Sequence, residues 1–108
     1  LNAVEELRNE QDSDDRPSAY ALKTALTVLR DAATDLGFDF PGAIAAVGPN
    51  NSLRLLWSVP GREVRAVFGG APENKTYLYW ESSSEHGVDY SVNGRRLANS
   101  LRWILQGI

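Results

Sequence analysis

The sequence predicts a two-layer α+β fold: an antiparallel four- to five-stranded meander sheet with helices packed on one face. Three observations predict it. Apolar residues recur at three- and four-residue steps near the start and again at the end of the chain. Between those stretches the apolar period falls to two, the repeat of a half-buried strand. The connections between successive strands are also short, and parallel neighbours would need crossovers of about a dozen residues. The expected order is α-α-β-β-β-β-β-α in one domain of 108 residues, with 1–16 forming a short helix and an acidic loop.

Each element has a local reason. Leu1, Val4 and Leu7 fall at helical spacing, and the turn formers between Gln11 and Pro17 end that pattern. Ser18 is suited to cap the next helix, because its hydroxyl can accept an orphan backbone N–H. From it Leu22, Ala25, Leu26, Leu29, Ala33 and Leu36 form the expected apolar stripe, and Gly37 is the natural stop. Phe38 to Gly42 is a connector, Ile44 to Val47 a short strand and Gly48 to Asn51 a turn. Leu53, Leu55, Trp57 and Val59 alternate with Arg54, Leu56 and Ser58. Pro60-Gly61 makes a tight turn, after which Val64, Ala66 and Phe68 alternate with Glu63, Arg65 and Val67. Thr76 to Ser82 is aromatic and β-prone. Ser83 to Gly87 reads as a turn, and Val88, Tyr90 and Val92 as the last strand. Leu97, Leu101, Ile104, Leu105 and Ile108 then return to helical spacing.

Composition excludes several chemistries. Cysteine is absent, so disulfides, thiolate metal sites and cysteine nucleophiles are all ruled out. The single histidine, His86, cannot build a His-rich zinc site. It lies in the stretch Ser82 to Gly87 with Glu85, but neighbours in a turn diverge and cannot form a triad around an oxyanion site. The acids from Asp12 to Asp15 suggest a calcium loop only superficially. Position 6 would be Pro17 where glycine is needed, and position 12 would be Lys23 where glutamate is needed. No phosphate-cradling or dinucleotide motif is present. An enzyme and a cofactor are therefore not expected.

The formal charge of -3 is unevenly spread. Glu5, Glu6, Glu10, Asp12, Asp14 and Asp15 oppose only Arg8 in the leader, while the remainder is mildly basic. Such a leader reads as a solvated helix end or as an arm for a basic partner. No apolar run reaches membrane-spanning length. No secretory signal opens the sequence, and the absence of cysteine fits a cytoplasmic protein, which is the expected compartment. Residue 1 is leucine rather than methionine, so a trimmed chain is expected.

What remains is surface recognition. If Leu53, Leu55, Trp57, Val64, Ala66 and Phe68 face the helices, then Arg54, Leu56, Arg65 and Val67 face outward. Either Tyr77 with Tyr79, or Leu78 with Trp80, joins them. That mixture of aromatic, aliphatic and arginine side chains has interface composition. Trp103 lies well off the Leu97/Leu101 stripe and caps the core edge or projects into a partner. The candidate partner-binding residues are Arg54, Leu56, Arg65, Val67, Tyr77, Tyr79 and Trp103. Arg95, Arg96 and Arg102 form a small basic cluster that supports a nucleic-acid module as the alternative reading. A second alternative is a self-associating domain whose sheets pair face to face.

Several short pieces occur in a suggestive order: Asp14-Asp15, Pro17-Ser18, Pro41-Gly42, Leu53 to Trp57, Arg62 to Val64, and Tyr77 to Glu81. In this order they resemble a small, largely uncharacterised bacterial α+β family of accessory proteins, some of them antitoxin-like. The resemblance implies a compact, partner-neutralising factor in a toxin–antitoxin or phage-defence pair, and supplies no catalytic residues. The expectation is thus a non-enzymatic protein-interaction domain with a protein partner. Homo-oligomers remain open, and neither nucleic acid nor membrane is expected.

Overall fold

The computed structural model describes residues 16–37 and 41–106. Helix α1 (Ala19–Leu36) is followed by strands β1 (Ile44–Gly48), β2 (Ser52–Val59), β3 (Arg62–Phe68), β4 (Tyr77–Ser82) and β5 (His86–Asp89), and then by helix α2 (Gly94–Leu105). The strands form one antiparallel meander in the order β1-β2-β3-β4-β5. The α+β architecture and its order therefore stand as the alternation predicts. The short helix expected over residues 1–10 lies outside the described residues.

The ends of α1 follow from capping chemistry. The Ser18 hydroxyl accepts the Ala21 N–H at 3.0 Å. At the other end Gly37 turns to a φ of 68°, and its N–H bonds the Ala33 carbonyl. Asn93 caps α2 in the same manner as Ser18, accepting from the Arg96 N–H at 2.9 Å. Arginines secure both C-terminal ends, where helix carbonyls favour positive charge. Arg102 donates to the Asp35 carbonyl of α1 at 3.0 Å, and Arg62 reaches from β3 to the Trp103 carbonyl of α2 at 2.6 Å.

The core lies between the sheet and the two helices. Leu53, Leu55 and Trp57 of β2, Val64, Ala66 and Phe68 of β3, and Leu78 of β4 point into it. Each fully buried large side chain contributes about 1.5–3 kcal/mol. The Trp57 indole N–H is not orphaned by burial, because it donates to the Pro41 carbonyl at 3.1 Å.

Three details depart from the sequence expectation. The buried line of α1 is Ala21, Ala25, Val28, Leu29 and Ala32, whereas Leu22, Leu26 and Leu36 only flank it. The cause is the close passage of α2: a Cβ on Gly94 would fall 2.3 Å from the Asp31 Cβ and 2.9 Å from the Ala32 nitrogen. At that crossing α1 must present small residues. In α2, likewise, Ala98 is buried and Leu105 is only half-buried, and Ile108 lies outside the described residues. Finally, the last strand is His86–Asp89 rather than Val88 to Val92. A tight Ser82–Glu85 turn, closed by the Ser82 N–H on the Glu85 carbonyl at 2.8 Å, frees His86 and Gly87 to pair with β4.

Candidate functional site: the uncovered sheet face

Both helices pack on one face of the sheet, and the opposite face carries the side chains of the other parity. Strand register assembles them into rows. The middle row crosses all five strands as Ile44, Leu56, Arg65, Tyr79 and Val88. Beside it runs Ala46, Arg54, Val67 and Tyr77. On the other side lies Ser58, Glu63, Glu81 and His86.

The structure therefore brings together six of the seven residues singled out from the sequence: Arg54, Leu56, Arg65, Val67, Tyr77 and Tyr79. It also decides the parity of β4. Tyr77 and Tyr79 face outward, while Leu78 is buried and Trp80 packs against the core. Trp103 is the exception, because it belongs to the helical layer. Its ring meets Trp80 edge-on at 6.0 Å, and the Arg62 guanidinium sits 4.9 Å from it. With Trp80, Glu85, Asn99 and Ser100 it lines a cleft of about 300 Å³ on that side. It caps the core edge and cannot share a contact surface with Tyr79.

Three further residues of this face were not assigned to it from the sequence. Ile44, Val88 and Tyr90 are 68%, 47% and 61% exposed, the largest exposures of bulky apolar side chains among the described residues. Their parity relative to Leu56 and Tyr79 is the signal that would have found them.

Electrostatics grade the face from end to end. Glu63 and Glu81 are directly opposed across β3 and β4, a pairing that like charges disfavour. Each is relieved by a neighbour on its own strand. Arg65 bonds the Glu63 carboxylate at 2.7 Å, and the Tyr79 hydroxyl donates to Glu81. That hydrogen bond, then desolvation, then the charges of Glu81 and Glu63 hold the Tyr79 phenol above its ordinary range, with Arg65 pulling the other way. The phenol thus stays a donor. The Arg65 guanidinium also lies 5.5 Å from the Tyr79 ring, and the His86 ring stacks on that same Tyr79 ring at 6.4 Å. His86 is consequently a strand residue and not the turn residue expected. Toward the opposite end stand Arg54 and Lys75, the latter 5.0 Å from the Tyr90 ring, which in turn packs on Tyr77 at 5.9 Å.

The three arginines of the alternative reading have separate surroundings. Arg96 bonds Asp89 at 2.7 Å, and Arg102 bridges Asp35 at 3.2 Å and Asn99 at 2.9 Å, while Arg95 is exposed. Among the described residues no group of three or more metal-ligating side chains converges, and no helix is long and apolar enough to cross a membrane. Compared with known proteins, the chain matches no family model, no curated protein and no solved structure.

Proposed function

We propose that the chain is a non-enzymatic protein-interaction domain that binds its partner through the uncovered face of the sheet. One observation carries this reading: a continuous row of Ile44, Leu56, Arg65, Tyr79 and Val88, apolar and aromatic around one arginine, that neither of the two described helices covers. Burying such a row against a partner removes apolar area from water, and aromatic and arginine side chains are the commonest anchors of protein interfaces. The graded charge, acidic at Glu63 and Glu81 and basic at Arg54 and Lys75, would set the orientation of the partner. The resemblance to the antitoxin-like family supplies the role: neutralisation of a bacterial toxin or of a phage-defence effector.

The test is co-purification of the full chain from its native host. A protein retained by the unaltered chain should be lost with Arg65→Glu and with Tyr79→Ala, both folded by circular dichroism. Retention of no partner ends the proposal. So does a gel shift on nucleic acid that weakens steeply with added salt, which marks phosphate binding instead.

A further inference from the structure

Among the described residues the sheet ends in two edges, β1 and β5, and they are defended differently. β5 has four residues, one of them Asp89, and is flanked by the exposed Glu85. β1 has five residues, Ile-Ala-Ala-Val-Gly, with no charge, no proline and no polar side chain. Charges, prolines and bulges are what ordinarily keep an edge from pairing with another strand. β1 has none of them until Pro49, just beyond its end. The two helices lie over β2 and β3, which leaves β1 at the margin of the helical layer.

We propose that β1 is the pairing edge for a second copy of this chain, joined antiparallel about a two-fold axis through Ala46. The strand is self-complementary in that register. Ile44 faces Gly48 of the second copy, Ala45 faces its Val47, and Ala46 faces its own equivalent, so each bulky residue meets a small one. All five residues pair, with about four to six new backbone hydrogen bonds depending on which alternate residues point outward. A slip of two residues one way brings Pro49 into the ladder, and a slip the other way leaves Gly48 unpaired. A slip of one would match residues of opposite faces. The nearest charges do not oppose the union. Arg54 stands opposite Ala46 on β2 and its guanidinium reaches over β1, 3.5 Å from where a Cβ on Gly48 would stand, so the two copies of that charge lie at opposite ends of the paired strands, about four residues apart. That is about 14 Å, beyond a Debye length of about 10 Å at 0.1 M salt.

The axis stands perpendicular to the sheet. The product is one ten-stranded sheet with all helices on one side and both uncovered faces continuous on the other. This differs from face-to-face pairing, which would bury those faces, and it stands independently of the function proposed above.

Sedimentation equilibrium of the full chain tests it. The unaltered protein should sediment at twice the chain mass, and Ala46→Lys, an exposed site, at one chain mass with an unchanged circular dichroism spectrum. Arg65→Glu should remain at twice the chain mass. A single chain mass for the unaltered protein up to millimolar concentration overturns the proposal. So does a folded Ala46→Lys variant that stays dimeric, or dissociation by Arg65→Glu instead. Should Ala46→Lys fail to fold, hydrogen exchange of the unaltered protein decides. Protection of alternate β1 amides that rises with protein concentration supports the pairing, and exchange independent of concentration overturns it.

Discussion

Ser18 is a single residue that ties together three stretches of the chain. It accepts the Ala21 N–H of α1 and donates to the Gly70 carbonyl of the β3–β4 loop at 2.6 Å, while its own N–H bonds the Asn51 carbonyl before β2. Removing it leaves a helix N–H and a loop carbonyl without their partner. Ser18→Ala should therefore lower stability by about 1–2 kcal/mol, read from urea unfolding. Asp89 is the other instructive residue. It accepts from the Ser91 N–H at 2.8 Å and from Arg96 at 2.7 Å, and these bonds, in that order, hold its carboxyl below the ordinary range. A depressed carboxyl pKa adds stability above the unfolded value, about pH 4, and that part is lost as pH falls through the folded value. In melting experiments between pH 5 and pH 2.5, Asp89→Asn should be less stable than the unaltered chain at the upper end. The difference should shrink toward the lower end.

At the scale of elements, alternation was enough to assign β2 and β3, because each is apolar on one parity, but for Arg62 at the start of β3, and carries its other charged residues on the opposite one. Leu53, Leu55 and Trp57 could only be opposite to Arg54. β4 was ambiguous, since Tyr77 and Tyr79 are as large and apolar as Leu78 and Trp80, and only register with β3 separates the two sets. β5 was misplaced because its ends depend on the Ser82 hydroxyl bonding the Glu85 N–H at 3.2 Å, a turn without glycine or proline to announce it. The stripe of α1 was displaced because periodicity reports which residues are apolar and not how closely a neighbouring helix passes. Gly87 is where hairpin and core meet. A Cβ there would fall 2.4 Å from the Trp80 ring. Gly87→Val should push the indole off its seat and cost about 1–3 kcal/mol, seen as a lower melting temperature with altered tryptophan emission.

For the whole molecule, the decisive property is that its two layers are unequal. One side of the sheet is closed by helices and tied to the final one through Arg62. The other side keeps its aromatic row and opposed carboxylates in contact with water. That asymmetry was legible from the strand parities, but the identity of the proposed partner was not, because parity reports only which side chains share a face. The edge-on contact of Trp80 and Trp103, one from the β4–β5 hairpin and one from the final helix, has a practical consequence. Two indoles so near and so steeply inclined couple their electronic transitions and give paired circular dichroism bands of opposite sign. The protein thus carries its own optical gauge of whether hairpin and helix remain in register, readable without a dye or a label.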